Sequence, residues 1–191
     1  MSNIDLDRID LMTDIETWGT GPDAVVRAVA MVAFKPWTGE VVATMAWDWR
    51  RLVDEQIELG CTVDADTVRW WQNSRGDNLG DKLHGCGSPS PVAKPNCLAN
   101  ALSQIETFIR DNNPSRYWSR GAFDYPILAN LMDQMGGGPF WEYWALRDVR
   151  TLDDLAPKIK PNYPHHPLSD CLAQIEQVHD ALALVTRQEA A

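Results

Sequence analysis

The chain has 191 residues, a net charge of −10 and 45% apolar residues. Its length suits one domain with a sizeable core, and its acidity excludes a protein that coats nucleic acid through a broad basic surface. The N-terminal MSNIDLDRID is acidic where a signal peptide is basic, and no run approaches the ~18 apolar residues of a membrane helix, so a cytoplasmic protein is expected.

Arg8 to Asp14 reads as a strand, and Ala24 to Phe34, rich in Val and Ala, as a second. A turn over Lys35–Gly39 leads to a third strand over Val41 to Trp47, which predicts a hairpin. Asp64 to Asn73 reads as a helix, and the Gly-, Pro- and Ser-rich stretch from Ser74 to Pro95 as a long loop. Leu98, Ala101, Leu102, Ile105, Phe108 and Ile109 recur at helical spacing and define the next helix. Arg116 to Ser119 is a short strand. Gly121 then permits a tight turn into a helix over Phe123 to Met135, with Phe123, Ile127, Leu128, Leu131 and Met135 inward, which Gly136–Pro139 ends. Phe140 to Leu146 reads as a fifth strand. A last helix starts near Pro167 or Ser169, with a stripe of Leu168, Cys171, Leu172, Ile175, Val178, Leu182 and Val185. A hairpin followed by strand–helix alternation predicts an α/β fold with a five-stranded mixed sheet flanked by helices.

The four cysteines form no CxxC pair and read as reduced thiols. His84, Cys86 and Cys97 match no common zinc-finger spacing and read as loop and core residues.

Asp14-Ile15-Glu16 closes the first strand. Residues i and i+2 of a strand share a face, roughly 7 Å apart, so the two carboxylates can converge on divalent cations. Alone the pattern is weak, because chance produces it about once in a few hundred residues. Two further acids give it context. Asp124 opens the helix after the RYWS strand, and Asp170 opens the last helix behind His165 and His166. Each alone could simply complement a helix dipole. Together, acids at a strand end and at two helix openings can meet at one rim of the sheet, where ligands usually bind in open α/β folds.

In this order the motifs Asp14-Ile15-Glu16-Thr17, Gly121-Ala122-Phe123-Asp124 and His165-His166-Pro167-Leu168-Ser169-Asp170 resemble those of the DEDD (DnaQ-like) 3′–5′ exonuclease superfamily, over about residues 8 to 180. The Trp70-Trp71-Gln72 segment and the run from Trp144 to Thr151 look more narrowly like the DexA-type phage exonucleases and related bacterial exoribonucleases. The resemblance implies a ribonuclease H-like fold, a single exonuclease domain with its core over about 8–185, and a cytoplasm that is bacterial, or the host's if the gene is a phage's. It implies a metal-dependent 3′–5′ exonuclease that releases nucleoside 5′-monophosphates from single-stranded DNA or RNA 3′ ends. Two Mg²⁺ or Mn²⁺ ions would be held by Asp14, Glu16, Asp124 and Asp170, with Asp14 shared between them and Asp124 acting largely through water. The general base of the family lies five residues before the last Asp, which selects His165; the position four before, used by a tyrosine in a sister subgroup, is His166. An imidazole, ordinarily titrating near pH ~6.5, suits that task. Pro167 departs from the alanine usual in this motif.

Substrate contacts are expected from Thr17 and Trp18 beside the first motif, Phe123 beside Asp124, Trp71 and Gln72 on their helix, and Arg120 and Arg147 as phosphate ligands. Trp70 and Trp71 point about 100° apart, so at most one faces the core squarely. Phe123 also starts an apolar stripe and fits a core role. Arg147 and Arg150 could equally well hold phosphate or stabilise Asp148. The nine tryptophans are compatible with a homodimer. A catalytically inactive nucleic-acid-binding or assembly domain on the same fold is the alternative, and DNA against RNA preference stays open.

Overall fold

The computed structural model describes residues 4–73 and 92–189. The strands are β1 (Asp10–Thr17), β2 (Val26–Phe34), β3 (Val41–Asp48), β4 (Val92–Ala93), β5 (Tyr117–Ser119) and β6 (Leu146–Asp148). The helices are α1 (Val53–Glu58), α2 (Ala65–Asn73), α3 (Leu98–Asn112), α4 (Asp124–Gln134) and α5 (Pro167–Glu189). The sheet order is β4-β3-β2-β1-β5-β6. β1, β2 and β3 pair antiparallel, whereas β5 runs parallel to β1 and β6 parallel to β5.

The mixed sheet thus has six strands where five were expected. The addition is β4, whose Val92 and Ala93 pair with Ala46 and Trp47 of β3. Two residues inside a Gly/Pro-rich stretch carry no period to read. The rest of the expected loop, 74–91, lies outside the described residues, as do His84 and Cys86. The last strand is also displaced. Ala145 N–H donates to Glu142 O at 2.9 Å, which folds Tyr143–Ala145 into a 3-10 turn, and pairing with β5 starts only at Leu146. α1 was not foreseen. It is held by Gln56, whose buried carboxamide bonds both the N–H and the C=O of Val26 at 2.8 and 2.9 Å.

β2 is buried at all nine positions, so the sheet is covered on both faces. On one face Leu11, Ile15, Val29 and Met31 pack with α3 and α4. On the other, Met12, Ala30, Val32 and Phe34 pack under Leu168, Cys171, Ile175 and Val178 of α5. The α3 stripe is buried as its spacing predicts. Met135 is exposed beyond the end of α4, and Leu172 and Val185 flank a buried α5 stripe narrower than expected. Strand alternation puts Asp14 and Glu16 on the face of Met12, the face that α5 covers, and α5 brings Asp170 in its first turn. No helix among the described residues is long and apolar enough to cross a membrane.

Candidate active site

One carboxylate oxygen from each of Asp14, Glu16 and Asp170 lies within 4.8 Å of the others. The third acid is placed by the start of α5. Pro167 opens that helix with the φ a first turn needs. His166 Nδ1 accepts from Ser169 N–H at 3.3 Å, while Asp170 Oδ2 accepts from His166 N–H at 3.1 Å. This reciprocal cap leaves His166 fully buried. His165, one residue earlier, is exposed and lines the cleft over the carboxylates. Its φ of 61° is left-handed, a conformation that costs a non-glycine residue roughly 1–3 kcal/mol and often marks functional sites. Its ring meets Trp70 edge-on at 4.8 Å and Trp71 at 6.1 Å.

Asp124 stands beside the trio. Its Oδ1 accepts from Ile15 N–H at 2.9 Å, which ties the start of α4 to the end of β1. Burial raises the pKa of all four acids, and neighbouring acids raise Asp14 and Glu16 further. Burial, then Asp124, Glu16 and Asp170, push Asp14 well above the carboxylate range. Burial and Asp170 raise Glu16 to about 8, although the nearby Arg27 pulls the other way. Burial lifts Asp124 to about 7, and Asp170 to about 6 against the backbone N–H groups of His166 and His165. Carboxylates gathered this closely and partly withdrawn from water form a set of hard oxygens suited to divalent cations.

Two grooves flank the trio. A cleft of about 380 Å³ is lined by the three acids, Asp124, His165 and the cations Arg120, Arg150 and Lys158. A second groove of about 450 Å³ shares Ile15, Glu16 and Phe123 with it and continues over Thr17, Gly19, Trp70 and Trp71.

The expected substrate residues divide. Phe123 lines both grooves while packing partly against the core. Thr17 and Trp71 line the second groove, but Thr17 Oγ1 donates to Gly19 O at 2.6 Å and Trp71 Nε1 to Thr17 O at 2.9 Å. Trp71 is buried, and its neighbour Trp70, 44% exposed, presents the open ring. Gln72 is exposed outside both grooves, and Trp18 packs against Arg27 and the core. Arg120 lines the cleft but is held by Asp153 at 2.9 Å and Gln177 at 3.0 Å. Arg147 borders a separate depression and donates to the carbonyls of Trp144 and Leu146.

Two neighbours of the acids went unread in the sequence. Gln174 Nε2 donates to Asp14 Oδ1 at 3.0 Å; the signal was its place one helical turn after Asp170. Arg27 is a lone charge in the apolar run Ala24–Phe34. It occupies the irregularity where β2 pairs with Glu16 and Thr17, buried with its guanidinium 3.9 Å from the Trp71 ring and 4.5 Å from Trp18.

Similarity to known proteins points the same way. An exodeoxyribonuclease of Enterobacteria phage T4 is 28% identical, over 74% of this chain and 69% of that one. The fold matches exonuclease I with a TM-score of 0.59 at 13% identity, over 95% of this chain but only 44% of that larger one. It also matches a 3′-exonuclease described in 3′-end-specific recognition of a histone mRNA stem-loop, with a TM-score of 0.52 at 12% identity, over 95% and 82% of the two chains. The model of the 3′–5′ exoribonuclease Rv2179c-like domain spans residues 9–183, and with it the whole carboxylate rim, so the chain belongs to that family of 3′–5′ exonucleases, within the DnaQ-like DEDD superfamily.

Proposed function

We propose that the chain, acting as a single exonuclease domain, hydrolyses single-stranded nucleic acid or 3′ overhangs to nucleoside 5′-monophosphates. The observation that carries this reading is the convergence of Asp14, Glu16 and Asp170 within 4.8 Å. These acids, with Asp124 beside them, would hold two Mg²⁺ or Mn²⁺ ions, which when bound activate water and offset charge on the phosphate. Asp14, whose Oδ1 accepts from Gln174 Nε2 at 3.0 Å, would serve both ions. His165 acts as the base, because it faces the cleft while the ring of His166 is committed to the helix cap. His165 takes a proton from the water that attacks phosphorus. The bond to the upstream 3′-oxygen breaks, and that oxygen leaves with a proton from solvent. The aromatic groove receives the terminal nucleoside against the exposed face of Trp70.

The deciding variant is Asp14→Asn, which keeps the shape and the Gln174 neighbour. Losing several kcal/mol of metal-borne stabilisation predicts about a 10³-fold or greater fall in turnover, together with loss of Mn²⁺ binding by calorimetry. Turnover at the wild-type rate in the purified variant would remove the assignment. The family description names RNA and the phage relative DNA, so matched DNA and RNA oligonucleotides, digested side by side, give the sugar preference.

A further inference from the structure

The two grooves differ in charge. Three cations, Arg120, Arg150 and Lys158, line the cleft together with the four acids. Among the described residues, the lining of the aromatic groove includes no Lys or Arg but does include Asp64 and Asp66. In a chain of net charge −10, a cation group at one mouth of the site is a local exception.

Arg120 is engaged by Asp153 and Gln177. Arg150 and Lys158 are exposed, and among the described residues neither enters an ion pair. Arg150 is nevertheless held in place. Asp148 Oδ1 accepts from both Gly121 N–H and Arg150 N–H at 2.8 Å, stapling the segment after β6 to the turn after β5. Gly121, at φ 96°, leaves its side-chain position to the guanidinium: a Cβ there would lie 2.6 Å from Arg150 Cζ. Lys158 lies on the Asp170 side, where its charge lowers the pKa of that carboxyl, and Arg150 does the same for Asp124.

We propose that Arg150 and Lys158 bind the backbone phosphates on the 5′ side of the scissile bond, so that the strand crosses the carboxylates from the basic cleft into the aromatic groove. This deepens the exonuclease reading and rests on it. A polyanion gains along a row of unpaired cations and loses beside Asp64 and Asp66. A single terminal nucleoside, with no phosphate beyond it, suits the groove lined by Trp70, Trp71 and the two aspartates. The arrangement gives the site its polarity and makes the basic cleft the entry side.

The test compares two substrates on wild type, Arg150→Ala and Lys158→Ala. One is a single-stranded oligonucleotide. The other is thymidine 5′-(4-nitrophenyl phosphate), which has a terminal nucleoside and a cleavable phosphate but no upstream phosphate. Each variant should lower kcat/KM for the oligonucleotide about tenfold through KM, so that the oligonucleotide-to-ester ratio falls with it. The dependence of log KM on log salt should flatten by about 0.7 per lost contact, and Arg150→Lys should restore part of the loss. An equal fall on both substrates would overturn the proposal by placing these cations at the scissile phosphate itself. So would an unchanged ratio with no fall. If the wild type cleaves neither substrate, the exonuclease reading itself falls.

Discussion

The aromatic groove and the basic cleft share Glu16 and Phe123 yet are built by opposite means. The aromatic side rests on buried, hydrogen-bonded parts: Trp71 on the Thr17 carbonyl, Thr17 on the Gly19 carbonyl, and the Arg27 guanidinium between Trp71 and Trp18. The basic side presents two exposed long side chains, Arg150 on a 3-10 turn that Asp148 ties to Gly121 and Lys158 on irregular backbone beyond it. The first kind of wall is preorganised for a flat ring whatever its sequence. The second attracts negative charge at a distance and, on the proposed reading, would hold the strand backbone. On the proposed reading, rigid capture of one nucleoside beside a compliant grip on the strand is a division of labour that substitutions can separate.

The largest expected effect is on the rigid side. Trp71→Ala removes a buried indole, its bond to Thr17 and one face from Arg27, and should cost about 3–5 kcal/mol of stability in denaturant titration. Trp70→Ala, one position away, should leave stability within about 0.5 kcal/mol. It should raise KM for oligonucleotide and nitrophenyl ester alike by about tenfold, as loss of one base stack worth roughly 1–3 kcal/mol predicts. If the adjacent pair gave the same phenotype, the aromatic groove would not divide into a structural and a contacting ring.

The next effect tests the acids between the grooves. Glu16, Asp124 and Asp170 are raised to about 8, 7 and 6, above the roughly 4 of an unfolded chain. The folded state therefore holds more protons, and the stability these groups contribute is present below pH ~4 and lost as pH rises through 6 to 8. The melting temperature of the metal-free protein should fall over that interval. Saturating Mn²⁺ should raise it by several degrees more at pH 8 than at pH 5.5, because cations bind the ionised form. A metal-induced shift equal at both pH values would contradict the electrostatic reading.

How much of this was legible in the sequence follows from the range of the interaction. The strand face of Asp14 and Glu16 and the helix-opening places of Asp124 and Asp170 depend on local period, and the structure puts all four at one rim. The choice among aromatic and basic residues depends on contacts far along the chain. Trp18 adjoins the first motif but turns to Arg27, because a bulge in β2 places that cation there. Arg147 and Arg150 share a segment three residues apart. Strand pairing sends Arg147 to the Trp144 side, and only the missing Cβ of Gly121 makes room for Arg150 beside the cleft. The sixth strand escaped notice because two residues have no period.

The smallest effect tests where the boundary between the two grooves lies. Gln174 lines the basic cleft, but its amide donates to Asp14. Its Oε1 is buried with no hydrogen-bond partner among the described residues. Gln174→Leu deletes the bond and relieves the unsatisfied acceptor together, so folding stability should change by less than about 1 kcal/mol. The bond positions a carboxylate, and its loss should weaken Mn²⁺ binding and lower kcat by about three- to tenfold. The fall should be equal for oligonucleotide and ester, in contrast to Arg150→Ala and Lys158→Ala. An unequal fall, larger on the oligonucleotide, would assign Gln174 to the strand grip and move the edge of the basic cleft inward to Asp14. An equal fall that excess Mn²⁺ partly rescues would place that edge between Gln174 and the two cations.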